Sequence, residues 1–413
     1  MQITFFGALW ILLILYCFFS NDHRKMLFVA LFSMIFQSNN ILYIGETGIG
    51  TQIFTISVAW VRFWLVITAP VKLKTARGIL LFGGALILTV VLSLLINNAL
   101  DSNRMISVAM LVVYAAFMMT LAKKNVRIDA KWLEKTEDII IVTVLIVGVL
   151  QVLCKSGLSF LTGPLRLFIY NDVNNENVIF SYKDTARFYA TFMEPSYCGA
   201  FLVGAFAMVS VRKDLTRKNV ILALAIGIAI LMTRSSAAYG GLAIIVCLLL
   251  ITRGKKRIFK YIIPAGIIIG LFVLFFNMEL LNEVIFDKGE SGSAIVRNNW
   301  NNSAIKAFKE SPLFGVGYGS KRASSLFLTI LAETGVVGCA AYLFNTLFQL
   351  KCAVWDKKPS EAKGRSYFIL GIIICQFIAC PDLNFSPFWL GLYLSMLAFR
   401  IESNSSSGEV QVS

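Results

Sequence analysis

Three stretches of this chain hold residues that can do chemistry together. The first is Arg187-Phe188-Tyr189-Ala190-Thr191-Phe192-Met193-Glu194-Pro195-Ser196, which sets an arginine and a carboxylate just ahead of an apolar run. Pro195 keeps Glu194 out of the helical region and suits the first helical position, so Glu194 stands at a helix N-terminus. There it can act as a cap that meets the helix dipole, orient an arginine, or serve as a base. The second stretch is Met232-Thr233-Arg234-Ser235-Ser236, a tight turn between two apolar runs. Arg234 either snorkels to the membrane interface or faces the bundle and marks a ligand path. The third holds Arg297-Asn298-Asn299-Trp300, then Ser311-Pro312-Leu313-Phe314-Gly315-Val316-Gly317-Tyr318-Gly319-Ser320 and Arg322, and ends in Glu333-Thr334-Gly335-Val336-Val337-Gly338. Arginine offers planar, permanently charged donor forks for oxyanions.

These stretches need elements to hold them. Arg297 to Phe308 predicts a short amphipathic helix, with Trp300, Ala304, Ala307 and Phe308 on one face. Gly315, Gly317 and Gly319 allow close backbone approach and positive φ. Such a loop either presents N–H groups to an anion or is an ordinary turn. Glu333 lies inside a long apolar run and needs a partner, for which an arginine is expected. Tyr189, Trp300 and Tyr318 fit packing roles as well as stacking on a sugar face.

The whole chain has 413 residues, 57% hydrophobic and 15% charged, with a mean hydropathy of +0.74. Its apolar runs are roughly 17–25 residues long, the length that crosses a bilayer as a helix. They lack the polar stripe of a soluble core helix and the alternation of a barrel strand. The expected fold is therefore an all-α polytopic membrane protein of about 12–14 helices. The spans fall near 3–20, 26–43, 51–69, 79–96, 105–122, 138–154, 195–211, 219–233, 237–252, 258–276, 323–350, 366–380 and 386–400. Residues 1–403 form one transmembrane domain, with long outer loops at about 155–194 and 277–322, and 404–413 form a disordered cytoplasmic tail. Alternate loops on one side hold 25 of the 38 basic residues and 10 of the 23 acids, so the whole net charge of +15 falls there. By the positive-inside rule that side is the cytoplasm. The N-terminus is then outside and the C-terminus inside, and no nucleic-acid surface is needed to explain the charge. Eight cysteines without a CxxC read as small buried hydrophobes, and His23 is the one histidine. No metal site is expected. Arg62, about eleven residues into the third span, has no role from sequence beyond a buried pair or a cavity charge.

The pattern from Arg187 to Gly199, together with the order Arg297, Trp300, Ser311-Pro312-Leu313-Phe314-Gly315-Val316-Gly317, Glu333, Gly335, Gly338, resembles the O-antigen polymerase (Wzy) family. The related O-antigen ligases share this plan but carry a histidine ahead of the Glu-x-Gly signature. Here Ser324, followed by Ser325, stands at the matching position. The resemblance implies a GT-C-like glycosyltransferase that needs no metal, cofactor or nucleotide sugar. It would join undecaprenyl-diphosphate-linked oligosaccharide repeat units into O-antigen or capsular polysaccharide at the outer face of a bacterial cytoplasmic membrane. Membrane lipids, a chain-length regulator and a flippase are the implied partners. Glu194, Arg187 and Arg297 are the implied catalytic residues. Arg234, Lys183, Arg322, Tyr318, Trp300 and Glu333 are implied to bind diphosphate or sugar. The alternatives are a ligase-type transferase, disfavoured by the missing histidine, and a lipid-linked oligosaccharide flippase or transporter, disfavoured because no internal repeat is found.

Arg187→Ala and Arg297→Ala are each expected to abolish chain extension without loss of membrane insertion. Normal-length polymer from either variant, seen on a gel of surface polysaccharide, removes that residue from the site.

Overall fold

The computed structural model describes residues 2–67, 77–98, 101–124, 126–171, 187–212, 216–253, 292–355 and 361–408. The run expected at 258–276 and Lys183 lie outside these residues. The described chain is helical apart from a small antiparallel sheet. Its helices are α1 (Phe5–Phe19), α2 (His23–Ser33), α3 (Thr51–Val66), α4 (Arg77–Ile96), α5 (Ser102–Lys123) and α6 (Ala130–Lys155). They continue with α7 (Thr162–Phe168), α8 (Pro195–Val211), α9 (Arg217–Met232), α10 (Ser236–Arg253), α11 (Gly292–Glu310), α12 (Leu326–Leu350), α13 (Glu361–Ile378) and α14 (Ser386–Gly408). Arg77–Ile96, Arg104–Lys123, Ala130–Lys155 and Leu326–Trp355 are long and apolar enough to cross a membrane. Leu12, Leu65, Leu81, Ile221 and Leu347 lie exposed on helix faces. Such a belt suits lipid and would be a liability in water.

At the centre stands α8, buried from Tyr197 to Val211 and packed by α9, α10 and above all α13. Small residues set these contacts: Gly204 meets the Phe368 carbonyl and Gly371, and Gly241 meets Cys375. In lipid, where hydrophobic burial does not drive helices together, such close approach is what holds them.

The second expected span, 26–43, is not one helix. α2 stops at Ser33, and the chain then enters strand β2 (Asn40–Ile44), which pairs with β1 (Gln2–Ile3) and β3 (Thr47–Gly50). The polar run Gln37-Ser38-Asn39-Asn40 explains the break. Asn39 donates to the Phe168 carbonyl and accepts from Thr51, the Gln37 N–H bonds the Thr191 carbonyl, and Ser386 caps the Met34 carbonyl. Such non-helical backbone is tolerated because protein surrounds it. α14 runs on to Gly408, past the boundary expected at 403.

Charge separates the two ends of the bundle. Arg24, Lys123, Lys124, Arg212, Lys218, Arg365 and Arg400 gather at the end where α6 begins, here called the basic end. Arg365 forks onto Glu137 at 2.7 and 3.2 Å, and Arg212 bridges Glu137 and Asp138 at 3.5 and 2.7 Å. Arg62 belongs to this end: it donates to the Phe18 and Ser20 carbonyls at 2.8 and 2.6 Å and so closes the C-terminus of α1. Arg400 does the same for α5 through the Lys124 and Leu121 carbonyls. The N-termini of α5, α8, α10, α12 and α14 meet at the opposite end.

Arg365→Ala leaves the buried Glu137 carboxylate without its fork. It is expected to cost about 3–5 kcal/mol, read as a lowered melting temperature in detergent. Lys218→Ala, at a largely exposed side chain, is expected to change it far less.

Candidate functional site

The site end is organised by a break in α12. Gly335 adopts φ 66° and ψ −163°, so the helical ladder is interrupted there. The groups it releases must be paired, because an unmet backbone N–H or carbonyl inside an apolar bundle is costly. The segment 312–317 supplies the partners. The N–H groups of Val316 and Gly317 bond the Ala332 and Glu333 carbonyls at 2.9 and 3.2 Å. Those of Val336 and Val337 return to the Pro312 and Leu313 carbonyls at 2.9 and 3.4 Å. A Cβ on Gly335 would overlap the Leu313 and Phe314 backbone, and one on Gly315 would overlap that of Glu333 and Thr334. α4 locks the pair, through Ser93 to the Glu333 carbonyl and Asn97 to the Gly315 carbonyl.

This docking turns Glu333 into a cavity of about 450 Å³ lined by Tyr197, Tyr318, Arg322, Asp382 and Asn384, among others. Its carboxylate accepts the Lys321 N–H at 3.4 Å, and the Gly319 amide is a second donor. The glycine loop thus spends its N–H groups on the α12 backbone and on this internal carboxylate. Arg104, whose stem lies against Gly319, is a cation that acts on Glu333. Asp382 stands across the cavity in the loop between α13 and α14. Burial pushes its carboxyl above the ordinary value, while the Asn384 N–H and Arg322 pull it back. Burial likewise drives the Tyr318 phenol well up, so it stays a neutral hydrogen-bonding group.

Arg322 stands at the rim. Its guanidinium lies 3.8 Å from Glu194 and 5.2 Å from the Trp300 ring centroid, a cation–π distance. Glu194 makes no cap hydrogen bond to α8, and its other oxygen accepts from Ser196 at 3.2 Å. α11 contributes Trp300, and its Asn301 takes the Ser324 N–H and hydroxyl, both at 2.9 Å. Ser325 caps α12 through the Leu328 N–H. Arg297 is exposed one turn before Trp300 and Asn301, on the same helix face. Ala304 and Ala307 are buried beneath that face.

Arg187 and Arg234 meet separately, at the turn between α9 and α10. The Arg187 fork donates to the Thr233 and Arg234 carbonyls at 3.1 and 3.0 Å, which holds Arg234 in a left-handed conformation, φ 50°. Gln151 clamps the backbone behind it by donating to the Arg187 carbonyl and accepting from the Tyr189 and Ala190 N–H groups. Lys155 lies 5.0 Å over the Tyr189 ring, and among the described residues its ammonium has no hydrogen-bond partner.

The expected residues therefore form two groups: Glu194, Trp300, Tyr318, Arg322 and Glu333 around the cavity, with Arg297 a turn above, and Arg187 with Arg234 at the neighbouring turn. Sequence reasoning missed Arg104, Lys155, Tyr197 and Asp382. The signal for Asp382 was available, as an acid in the short turn Pro381-Asp382-Leu383-Asn384 between two apolar runs. Among the described residues, no cluster of three His, Cys, Asp or Glu could hold a metal ion.

Residues 220–343 match the family model described as O-antigen ligase. The match runs from α9 into α12. It includes Arg234, Arg297, Trp300, Tyr318, Arg322 and Glu333, and leaves Arg187 and Glu194 outside. It agrees with the resemblance to the polymerase and ligase families and supports a multi-pass membrane enzyme that processes O-antigen or other lipid-linked glycans. No curated protein matches the chain.

Gly335→Ala is expected to release the 312–317 segment and abolish activity with helical content unchanged. Circular dichroism and an extension assay on the purified variant check this, and an active Gly335→Ala enzyme refutes the role given to the break.

Proposed function

We propose that this chain is a glycosyltransferase that polymerises undecaprenyl-diphosphate-linked oligosaccharide repeat units, with the site end at the outer face of the bacterial cytoplasmic membrane and the basic end in the cytoplasm. The observation that carries this reading is Arg322, held between the Glu194 carboxylate and the Trp300 ring at the rim of a cavity that contains two further carboxylates. A glycosyl diphosphate donor places its leaving group beside a cation and its sugar beside aromatic and carboxylate groups. As the bond to the anomeric carbon breaks, negative charge grows on the diphosphate. A guanidinium already fixed there stabilises that charge with little reorganisation. Glu194 is the orienter of Arg322 in this scheme. Arg297, on the same face as Trp300, and the Arg187–Arg234–Lys155 group extend the positive field along which an anionic lipid head group is drawn.

Polymerase is preferred over ligase because the one histidine in the chain, His23, lies at the basic end, 3.1 Å from Arg62. The ligase-type imidazole has no counterpart near the cavity, where Ser324 is engaged with Asn301.

Deletion in the host separates the readings. Loss of a polymerase leaves single repeat units on the lipid core, loss of a ligase leaves full-length polymer on the carrier, and loss of a flippase leaves nothing outside. Single units, restored to polymer by the wild-type gene and reduced about 10²–10³-fold in extension rate by Arg322→Ala, are the expected result. Polymer retained on the carrier overturns the polymerase reading.

A further inference from the structure

We propose that Asp382 is the general base of the transfer and that Glu194 is not; this rests on the transferase reading above. The three carboxylates near the cavity differ in what their oxygens already do. Glu194 is exposed, with one oxygen turned to Arg322 and the other accepting from Ser196. Glu333 accepts backbone N–H groups of the loop that holds it. Asp382 lines the cavity and commits one oxygen, Oδ1, to the Asn384 N–H at 2.8 Å, and among the described residues no hydrogen bond engages Oδ2.

The loop around Asp382 is fixed as a base must be. Its carbonyl accepts from Gln376 at 3.0 Å and from the Phe385 N–H at 3.4 Å, and its N–H bonds the Cys380 carbonyl at 2.9 Å. Asn384 ties the loop to Ser107 on α5 at 3.2 Å, and the Trp389 indole ties it to α14 through the Leu383 carbonyl at 2.9 Å. Cys380 adopts φ 79°, a conformation costly for a residue with a side chain and held only where the surroundings over-determine it. The ionisable groups facing Asp382 are Tyr114 from α5, Tyr197 from α8, Glu333 from α12, Tyr318 and Arg322 from the segment before α12, and Cys380 on its own loop. Arg322 is the one cation among them. Burial raises the Asp382 carboxyl toward the working pH, the direction in which a carboxylate becomes an effective base.

The step balances within the two substrates and this side chain. The acceptor hydroxyl gives its proton to Asp382 Oδ2 as its oxygen bonds the anomeric carbon of the donor. The bond from that carbon to the diphosphate oxygen breaks, and its electron pair leaves with the diphosphate beside Arg322. The carboxylic acid returns its proton to water when product leaves.

The test uses full-length protein in lipid nanodiscs with a lipid-diphosphate-linked repeat unit. Asp382→Asn keeps the shape and still accepts from the Asn384 N–H. It is expected to lower kcat by about 10²–10⁴-fold with KM little changed and an unaltered melting temperature, while Asp382→Glu recovers part of the rate. In the wild type the rate falls as pH drops through the raised Asp382 value, because the base becomes protonated, and Asp382→Asn loses that acid limb. Glu194→Gln lowers the rate through Arg322 and keeps the limb. An Asp382→Asn enzyme within about threefold of wild type, or one that retains the acid limb, overturns the assignment. A wild-type protein that transfers no glycan from the lipid diphosphate overturns the transferase reading instead.

Discussion

An interrupted helix in an apolar bundle leaves backbone groups that nothing but the protein can satisfy. α12 is interrupted at Gly335, and the 312–317 segment pairs the released groups, with Ser93 of α4 as a second donor to the Glu333 carbonyl. An unmet carbonyl or N–H at that depth costs several kcal/mol, so loop and helix act as one unit. The rest of the site follows. Glu333 points into the cavity because its carbonyl and its carboxylate are both held by this loop, and Arg322 reaches the rim because the chain leaves the loop there.

The two ends of the bundle use charge in opposite ways. At the basic end, arginines are spent on structure: Arg365 and Arg212 neutralise buried Glu137 and Asp138, and Arg62 and Arg400 close helix C-termini. At the other end, arginines lie part-exposed, and Arg322 is paired with a carboxylate that is itself half in water. An exposed pair of this kind contributes little to stability. Arg187 is intermediate, since its fork is spent on two carbonyls of the turn that presents Arg234.

The transferase reading gives each group a separable task. Cations meet the leaving group, carboxylates divide between orientation and proton transfer, and buried tyrosines such as Tyr197 and Tyr318 form part of the cavity wall. Rigidity is supplied twice, by the α12 break on one wall and by the strained Cys380 turn on the other. Both keep reacting groups within the narrow geometry that a displacement demands.

Much of this architecture was legible in the sequence, because the bilayer imposes a length and an apolarity that composition records directly. The helix start at Pro195, the amphipathic helix around Trp300, and the partition of lysine and arginine between alternate loops all depend on neighbours in sequence. The run 26–43 misled because its Gln-Ser-Asn-Asn segment is satisfied by Thr51, Phe168 and Thr191, partners far along the chain. Arg62 looked like a charge buried in mid-membrane because only the third dimension brings it to the end of α1. Likewise, residue types alone nominated Glu194, Glu333 and Arg322. Which carboxylate oxygens were already spoken for, and that Asp382 lines the same cavity, was decided by packing between helices, since hydrogen-bond satisfaction belongs to the folded neighbourhood and not to the order of residues.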